Sequence, residues 1–166
     1  MIPKELGLIG SDQYLNEGGT ELLISLLKHL RPGNYGKAFI PLMEAAGVPM
    51  AVELVIVRNG KVLLTYRDDA HFTGWHTPGT YLRRGEDWQT AAQRCADKEL
   101  KVPVRLVRVL DVFNHPDNPR FHDACTLLLC EADGEPQSGE WFSSPPQDLI
   151  PVHRKYWPAI DRLLRG

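Results

Sequence analysis

Residues 74–102 read GWHTPGTYLRRGEDWQTAAQRCADKELKV, and the reading of this stretch decides the fold. Pro78-Gly79 marks a turn, a short loop runs to Gly85-Glu86, and an amphipathic helix is expected over 87–100. Trp88, Ala91, Ala92, Cys95 and Ala96 recur at helical spacing as a narrow apolar stripe. Most of these residues are small, so the helix can approach a sheet closely. Gln93, Arg94, Asp97, Lys98 and Glu99 fall largely off the stripe, where they reach ligand or solvent. Chemistry is therefore expected at the loop–helix junction.

Working outward, 50–57 (MAVELVIV) and 61–66 (KVLLTY) read as two strands joined at Asn59-Gly60, because Asn-Gly supplies the positive φ angles of a tight hairpin turn. The segment 68–85 reads as a loop. Two β-rich runs follow the helix, 104–113 and 123–131, with Glu140-Trp141-Phe142-Ser143 as a short last strand and 155–164 as a closing helix. Towards the N-terminus, residues 20–30 carry one apolar helical face, with Thr20 as N-cap and Pro32-Gly33 as stop. A second short helix is expected within 37–46, with Pro41 near its start. This order predicts an α+β architecture: a mixed β-sheet between helices, an α/β/α sandwich over 49–166, and an N-terminal helical extension over 1–48.

Composition sets the outer limits. At 166 residues, with 43% hydrophobic and 24% charged residues, the chain can bury a real core and shows no sign of disorder. A net charge of −2 and a pI near 6.3 provide no field for a polyanion, which argues against extended nucleic-acid or membrane-surface binding. The first thirty residues lack a basic region followed by an apolar run, and no stretch approaches the roughly 18 apolar residues of a membrane span, so a cytoplasmic location is expected. Cys95, Cys125 and Cys130 are odd in number and lack CxxC spacing, as reduced thiols do.

The stretch around the helix resembles the signature of Nudix hydrolases. Pro78-Gly79, Glu86, Arg94 and Glu99 stand at the positions that signature requires. Thr80 replaces its second glycine, Cys95 its first helix glutamate, Lys98 the first member of its Glu-Glu pair, and Lys101 its closing glycine. The resemblance implies a divalent metal, Mg²⁺ or Mn²⁺, held against a substrate diphosphate by helix acids. Here two of the three acids are gone, and a thiol is a poor ligand for a hard cation. The resemblance thus implies a single ion, on Glu99 and a backbone carbonyl near Gly79 or Thr80. A narrower resemblance is to the GDP-mannose mannosyl hydrolase branch, which keeps the arginine and only the last glutamate, and displaces at the sugar carbon. Phe113-Asn114-His115, Trp141 and His153-Arg154 with Tyr156 agree with it.

That branch takes its general base from the loop before the last strand, where this chain offers Glu135 and no histidine. Glu135 stays open as metal ligand or base, and His122 and His115 as base. Glu86 and Arg94 read as a structural ion pair organising the junction, with a substrate contact the alternative for Arg94. Arg67, Arg83 and Arg84 are candidates for the diphosphate, since guanidinium forks match phosphate geometry. Trp75, Tyr81 and Trp88 read first as loop anchors, with nucleobase stacking by Trp75 the functional alternative. Two function classes follow. One is a metal-dependent hydrolase of a nucleoside diphosphate linked to another moiety, foremost a sugar. The other is a catalytically silent Nudix-fold module that binds a nucleotide or a protein. A small nucleotide is the expected partner in solution, and the helical apolar surface of the first 48 residues suggests a homodimer.

Overall fold

The computed structural model describes residues 7–11, 14–29 and 39–166, in two compact units, Met1–Ala38 and Phe39–Gly166. In the first unit, helix α1 (Glu17–His29) begins before Thr20. Its cap is Asn16, whose Oδ1 accepts the Gly19 N–H at 2.9 Å while its amide donates to the Gly7 carbonyl at 2.7 Å. The helix therefore starts a turn earlier than a Thr20 cap would set it. The stop expected at Pro32-Gly33 lies outside the described residues.

The second unit opens with α2 (Phe39–Ala46), Pro41 in its first turn. The hairpin of β1 (Met50–Arg58) and β2 (Lys61–Asp68) follows, with Asn59 at φ 52 and Gly60 at φ 69 as the turn requires. The expected loop 68–85 contains two short strands, β3 (Thr73–His76) and β4 (Gly79–Tyr81). Each is too short for alternation to be legible, and pairing with longer strands defines it. Next come α3 (Trp88–Glu99), β5 (Val104–His115), β6 (Asp123–Ala132), β7 (Glu140–Phe142), α4 (Pro151–Arg154) and α5 (Trp157–Arg165).

The sheet is mixed, in the order β3-β2-β1-β6-β5, with β4 on β1 and β7 on β2. β1 runs parallel to β6, and the other pairings are antiparallel. Alternation along β1 sends Val52, Leu54 and Ile56 to the face covered by α3, where Ala91, Ala92, Cys95 and Ala96 allow close approach. Ala51 and Val55 go to the opposite face, against Tyr156, Ala159 and Ile160. The predicted α+β sandwich, a mixed sheet between helices, is the fold observed. Cys95, Cys125 and Cys130 are free and buried. Among the described residues, no helix is long and apolar enough to cross a membrane.

Two local features position the site. Asp87 caps α3, accepting the Thr90 N–H at 2.7 Å, and Gln89 and Gln93 tie the helix to β5 through the backbone of Val104 and Leu106. Gln93 is thus a structural tether and does not face ligand. The second feature is a splay: β1 and β2 pair only beside their turn, at Val57↔Val62 and Arg58↔Lys61. Beyond that, β1 takes β4 and β2 takes β3, so a cleft opens between the two strand pairs.

Candidate active site

Glu53 stands in the middle of the apolar strand β1, on the same face as Ala51 and Val55. Antiparallel register places it opposite Gly79, and the neighbouring contacts from Leu54 N–H to the Pro78 carbonyl and from Leu82 N–H to the Met50 carbonyl make Val52↔Thr80 the hydrogen-bonded pair. Glu53↔Gly79 is then a non-hydrogen-bonded pair, in which side chains come closest. A methyl group on Gly79 would sit 2.4 Å from Glu53 Oε2, so the carboxylate occupies the space of the missing side chain. The Thr77 hydroxyl donates to Glu53 Oε2 at 2.6 Å and lies 3.0 Å from His153 Nδ1, which fixes the acid. Burial, partly offset by the Thr77 bond and Arg67, pushes the Glu53 carboxyl up to about 8. Its remaining 13% side-chain exposure is towards the cleft.

Glu99, at the last turn of α3, reaches the other side of Gly79. Its carboxylate accepts the Thr65 hydroxyl at 3.3 Å and lies beside the Gly79 N–H. Burial raises its pKa, against the pull of Arg67 and Lys98. Arg67, Lys98 and Glu99 line both cavities of the cleft: an inner one of about 180 Å³, floored by Glu53, Asp123 and His115, and an outer groove of about 490 Å³ beside Tyr66, Trp75 and Ser138. On the inner floor Asp123 accepts from Tyr81 and Asn118, each at 2.9 Å, and pairs with His115 Nδ1 at 3.2 Å. His76 and His153 are neutral: burial lowers His76 to about 3 and His153 well below its usual value.

The sequence candidates divide sharply. Glu99, Gly79 and Arg67 come together, with His115 on the inner floor and Trp75 on the outer groove. Trp75 packs edge-on to Tyr66 and tilted against Phe142, the anchoring expected of it. Arg94 is used up structurally: it grips Glu86 through two bonds of 2.7 Å and donates to Thr80 Oγ1 and the Tyr81 carbonyl, each at 2.9 Å. A substrate contact by Arg94 is not what the structure gives. The same bond engages the Thr80 hydroxyl, and β-pairing turns the Thr80 carbonyl towards β1, which leaves Gly79 as the backbone ligand candidate. Arg83 and Arg84 are exposed and line neither cavity. Glu135 also lines neither, being exposed and salt-bridged to Arg58 at 2.5 Å. His122 is exposed and bonds Asn114. Neither is placed to act as base in the cleft.

Glu53, Asp123 and Thr77 were not among the sequence candidates. The first did leave a signal, an acid amid the apolar run MAVELVIV, since buried carboxylates are rare without a task.

Residues 48–165 match the NUDIX domain, and the chain belongs to that family. Solved structures agree on the fold. A MutT NUDIX hydrolase from Burkholderia pseudomallei is 26% identical, with a TM-score of 0.57 over 69% of this chain and 97% of that one. A UDP-X diphosphatase is 16% identical, with a TM-score of 0.61 over 90% and 80%. An ADP-ribose pyrophosphatase from Streptococcus suis is 17% identical, with a TM-score of 0.56 over 71% and 92%. Among curated proteins, no sequence relative is matched.

Nudix hydrolases generally use divalent metal ions. Among the described residues, no group of three or more His, Cys, Asp or Glu side chains gathers to hold one. Cys95, at the first motif glutamate, is buried in the α3 core and its thiol pKa is pushed up, so it is no ligand. What remains is hard oxygen: the Glu99 carboxylate and the Gly79 carbonyl. Magnesium is commonly held by one or two carboxylates together with substrate phosphates, and this donor set fits one such ion.

Proposed function

We propose that this chain hydrolyses a nucleoside diphosphate linked to another moiety, foremost a nucleotide sugar, with one Mg²⁺ or Mn²⁺, in the manner of GDP-mannose mannosyl hydrolases. The observation that carries this reading is the placement of two carboxylates, Glu53 and Glu99, on either side of Gly79, beside Arg67 and Lys98. Glu99 and the Gly79 carbonyl would hold the ion, which when bound offsets the charge of the diphosphate. Arg67 and Lys98 neutralise the charge that grows on the diphosphate as it leaves.

Glu53 is the base. Its pKa of about 8 lies close to working pH, where a group both accepts and returns a proton efficiently. The Thr77 hydroxyl and Gly79 hold its carboxylate in one place, so it takes the proton of a water attacking the sugar carbon as the nucleoside diphosphate departs.

The test is a panel of nucleoside diphosphate sugars, dinucleotides and nucleoside triphosphates with Mg²⁺ or Mn²⁺, run for wild type, Glu53→Gln and Glu99→Gln in ¹⁸O-water. Metal-dependent turnover of a nucleotide sugar, lost in both variants and placing the label on the sugar, supports the reading. Nucleotide binding without turnover of any compound supports the silent binding module instead.

A further inference from the structure

We propose that Arg120, on the loop between β5 and β6, is a second phosphate-binding arginine that pairs with Arg67 across the inner cavity and selects substrates carrying a diphosphate over those carrying one phosphate. This rests on the hydrolase reading for its setting, but the observations are its own.

Arg120 lines the inner cavity with Arg67. Both arginines act electrostatically on Asp69, His76 and His153, so they flank one region of the cleft. Arg67 has a carboxylate nearby, Asp69 at 3.7 Å. Among the described residues, Arg120 has no carboxylate within 4.0 Å, although Asp69 feels its charge, and its Nε is a buried donor with no acceptor. A buried guanidinium N–H without a partner is costly and calls for an explanation. Acidic side chains do not supply one: the nearby carboxylate of Asp123 is taken up by Tyr81, Asn118 and His115.

The arginine is also held in advance of any ligand. Its guanidinium lies 4.8 Å from the centre of the Phe72 ring, and its backbone N–H donates to Asn118 Oδ1 at 3.1 Å. The Asn118 amide in turn donates to Asp123, which pins the loop to the cavity floor. A guanidinium oriented by packing, with an unused donor and Asp69 only as a neighbour beyond ion-pair contact, is suited to an external oxyanion that accepts several N–H bonds. The inner cavity, of about 180 Å³, shares Arg67, Lys98 and Glu99 with the outer groove and has room for phosphoryl groups.

The experiment uses the full chain. Binding of GDP, UDP, GMP and UMP is measured by calorimetry for wild type, Arg120→Gln and Arg120→Lys, alongside steady-state turnover of the corresponding nucleotide sugars. Far-UV and near-UV circular dichroism confirm that each variant is folded. Wild type is expected to bind the diphosphates at least tenfold more tightly than the monophosphates. Arg120→Gln should weaken diphosphate binding tenfold or more, weaken monophosphate binding by less than threefold, and raise KM with kcat within threefold. Arg120→Lys, which keeps the charge but loses the fork, should fall between. A folded Arg120→Gln whose diphosphate affinity stays within twofold of wild type overturns the proposal, as does equal loss for mono- and diphosphates. Diphosphate binding that depends on Arg120 without turnover would sink the hydrolase reading and leave this one standing. Turnover of a nucleotide sugar with both KM and kcat unchanged by Arg120→Gln does the reverse, and no binding of any nucleotide refutes it.

Discussion

Replacing Gly79 by alanine isolates the feature on which the site is built. The new methyl would lie 2.4 Å from Glu53 Oε2 and 2.5 Å from both its Cδ and Oε1, far inside contact distance. The backbone of Gly79 is not in the left-handed region, so the effect comes from the clash alone. Glu53 must swing away and lose its 2.6 Å bond from Thr77, about 1–3 kcal/mol. Crowding adds roughly 1–3 kcal/mol, and the stiffer unfolded chain of alanine returns about 0.4–1 kcal/mol. The net loss is about 1–5 kcal/mol, a fall in Tm of roughly 2–20 °C for a chain of this size. Moving the base by an ångström also lowers turnover by about 10²-fold. The assay is thermal unfolding of Gly79→Ala, Glu53→Ala and the double variant in a mutant cycle, because removing the carboxylate removes the obstacle. An equal Tm loss from Gly79→Ala with and without Glu53, or no loss at all, would refute the reasoning.

Glu99→Gln should abolish metal-dependent turnover, by about 10²-fold or more, while Tm holds or rises, since the half-buried carboxylate is penalised by desolvation. Differential scanning fluorimetry beside the activity assay reads both. Lys101 holds φ 56 at the end of α3, its N–H bonded to the Ala96 carbonyl, a conformation that favours glycine. Lys101→Gly is therefore expected to stabilise by about 0.5–1 kcal/mol in urea unfolding, despite adding a glycine. Glu53 gives a pH signature without metal. Its folded pKa of about 8 exceeds its unfolded value near 4.5, so folding favours the protonated acid. Its stabilising contribution is complete below about pH 4.5 and is lost as pH rises through 8. Wild type should lose stability relative to Glu53→Gln across that window, and a constant difference would contradict the assignment. Glu86 runs the opposite way. Its bonds from Arg94 hold its carboxyl below the usual range, so the stability it lends is present above pH 4.5 and lost as pH falls through its folded pKa. Unfolding of Glu86→Gln and wild type should converge in acid.

The frame of the protein was legible because it rests on local chemistry. Asn59-Gly60 fixes a turn by its φ preferences, and the small-residue stripe Ala91, Ala92, Cys95, Ala96 fixes which side of α3 meets the sheet. Glu99 drew notice because it stands in a motif of fixed spacing, and it lies in the cleft. β3 and β4 were not legible, because three or four residues carry no period and only the register with β1 and β2 defines them. The site beyond Glu99 was hidden by topology. Parallel pairing of β1 with β6 brings Asp123 near Glu53, and the C-terminal helices add His153 and Tyr156. No spacing in the chain encodes those encounters. Glu135 and His122 misled because a position in a neighbouring loop says nothing of direction. Arg58 takes the first and Asn114 the second, outside the cleft.

The most direct measurement is anomalous diffraction from crystals soaked with manganese and GDP. The account predicts one peak in contact with the Glu99 carboxylate and the Gly79 carbonyl, with the phosphates completing its shell and Glu53 facing the reaction from across the glycine. A diphosphate bound with no peak there, or with the Lys98 ammonium occupying that position, would contradict it.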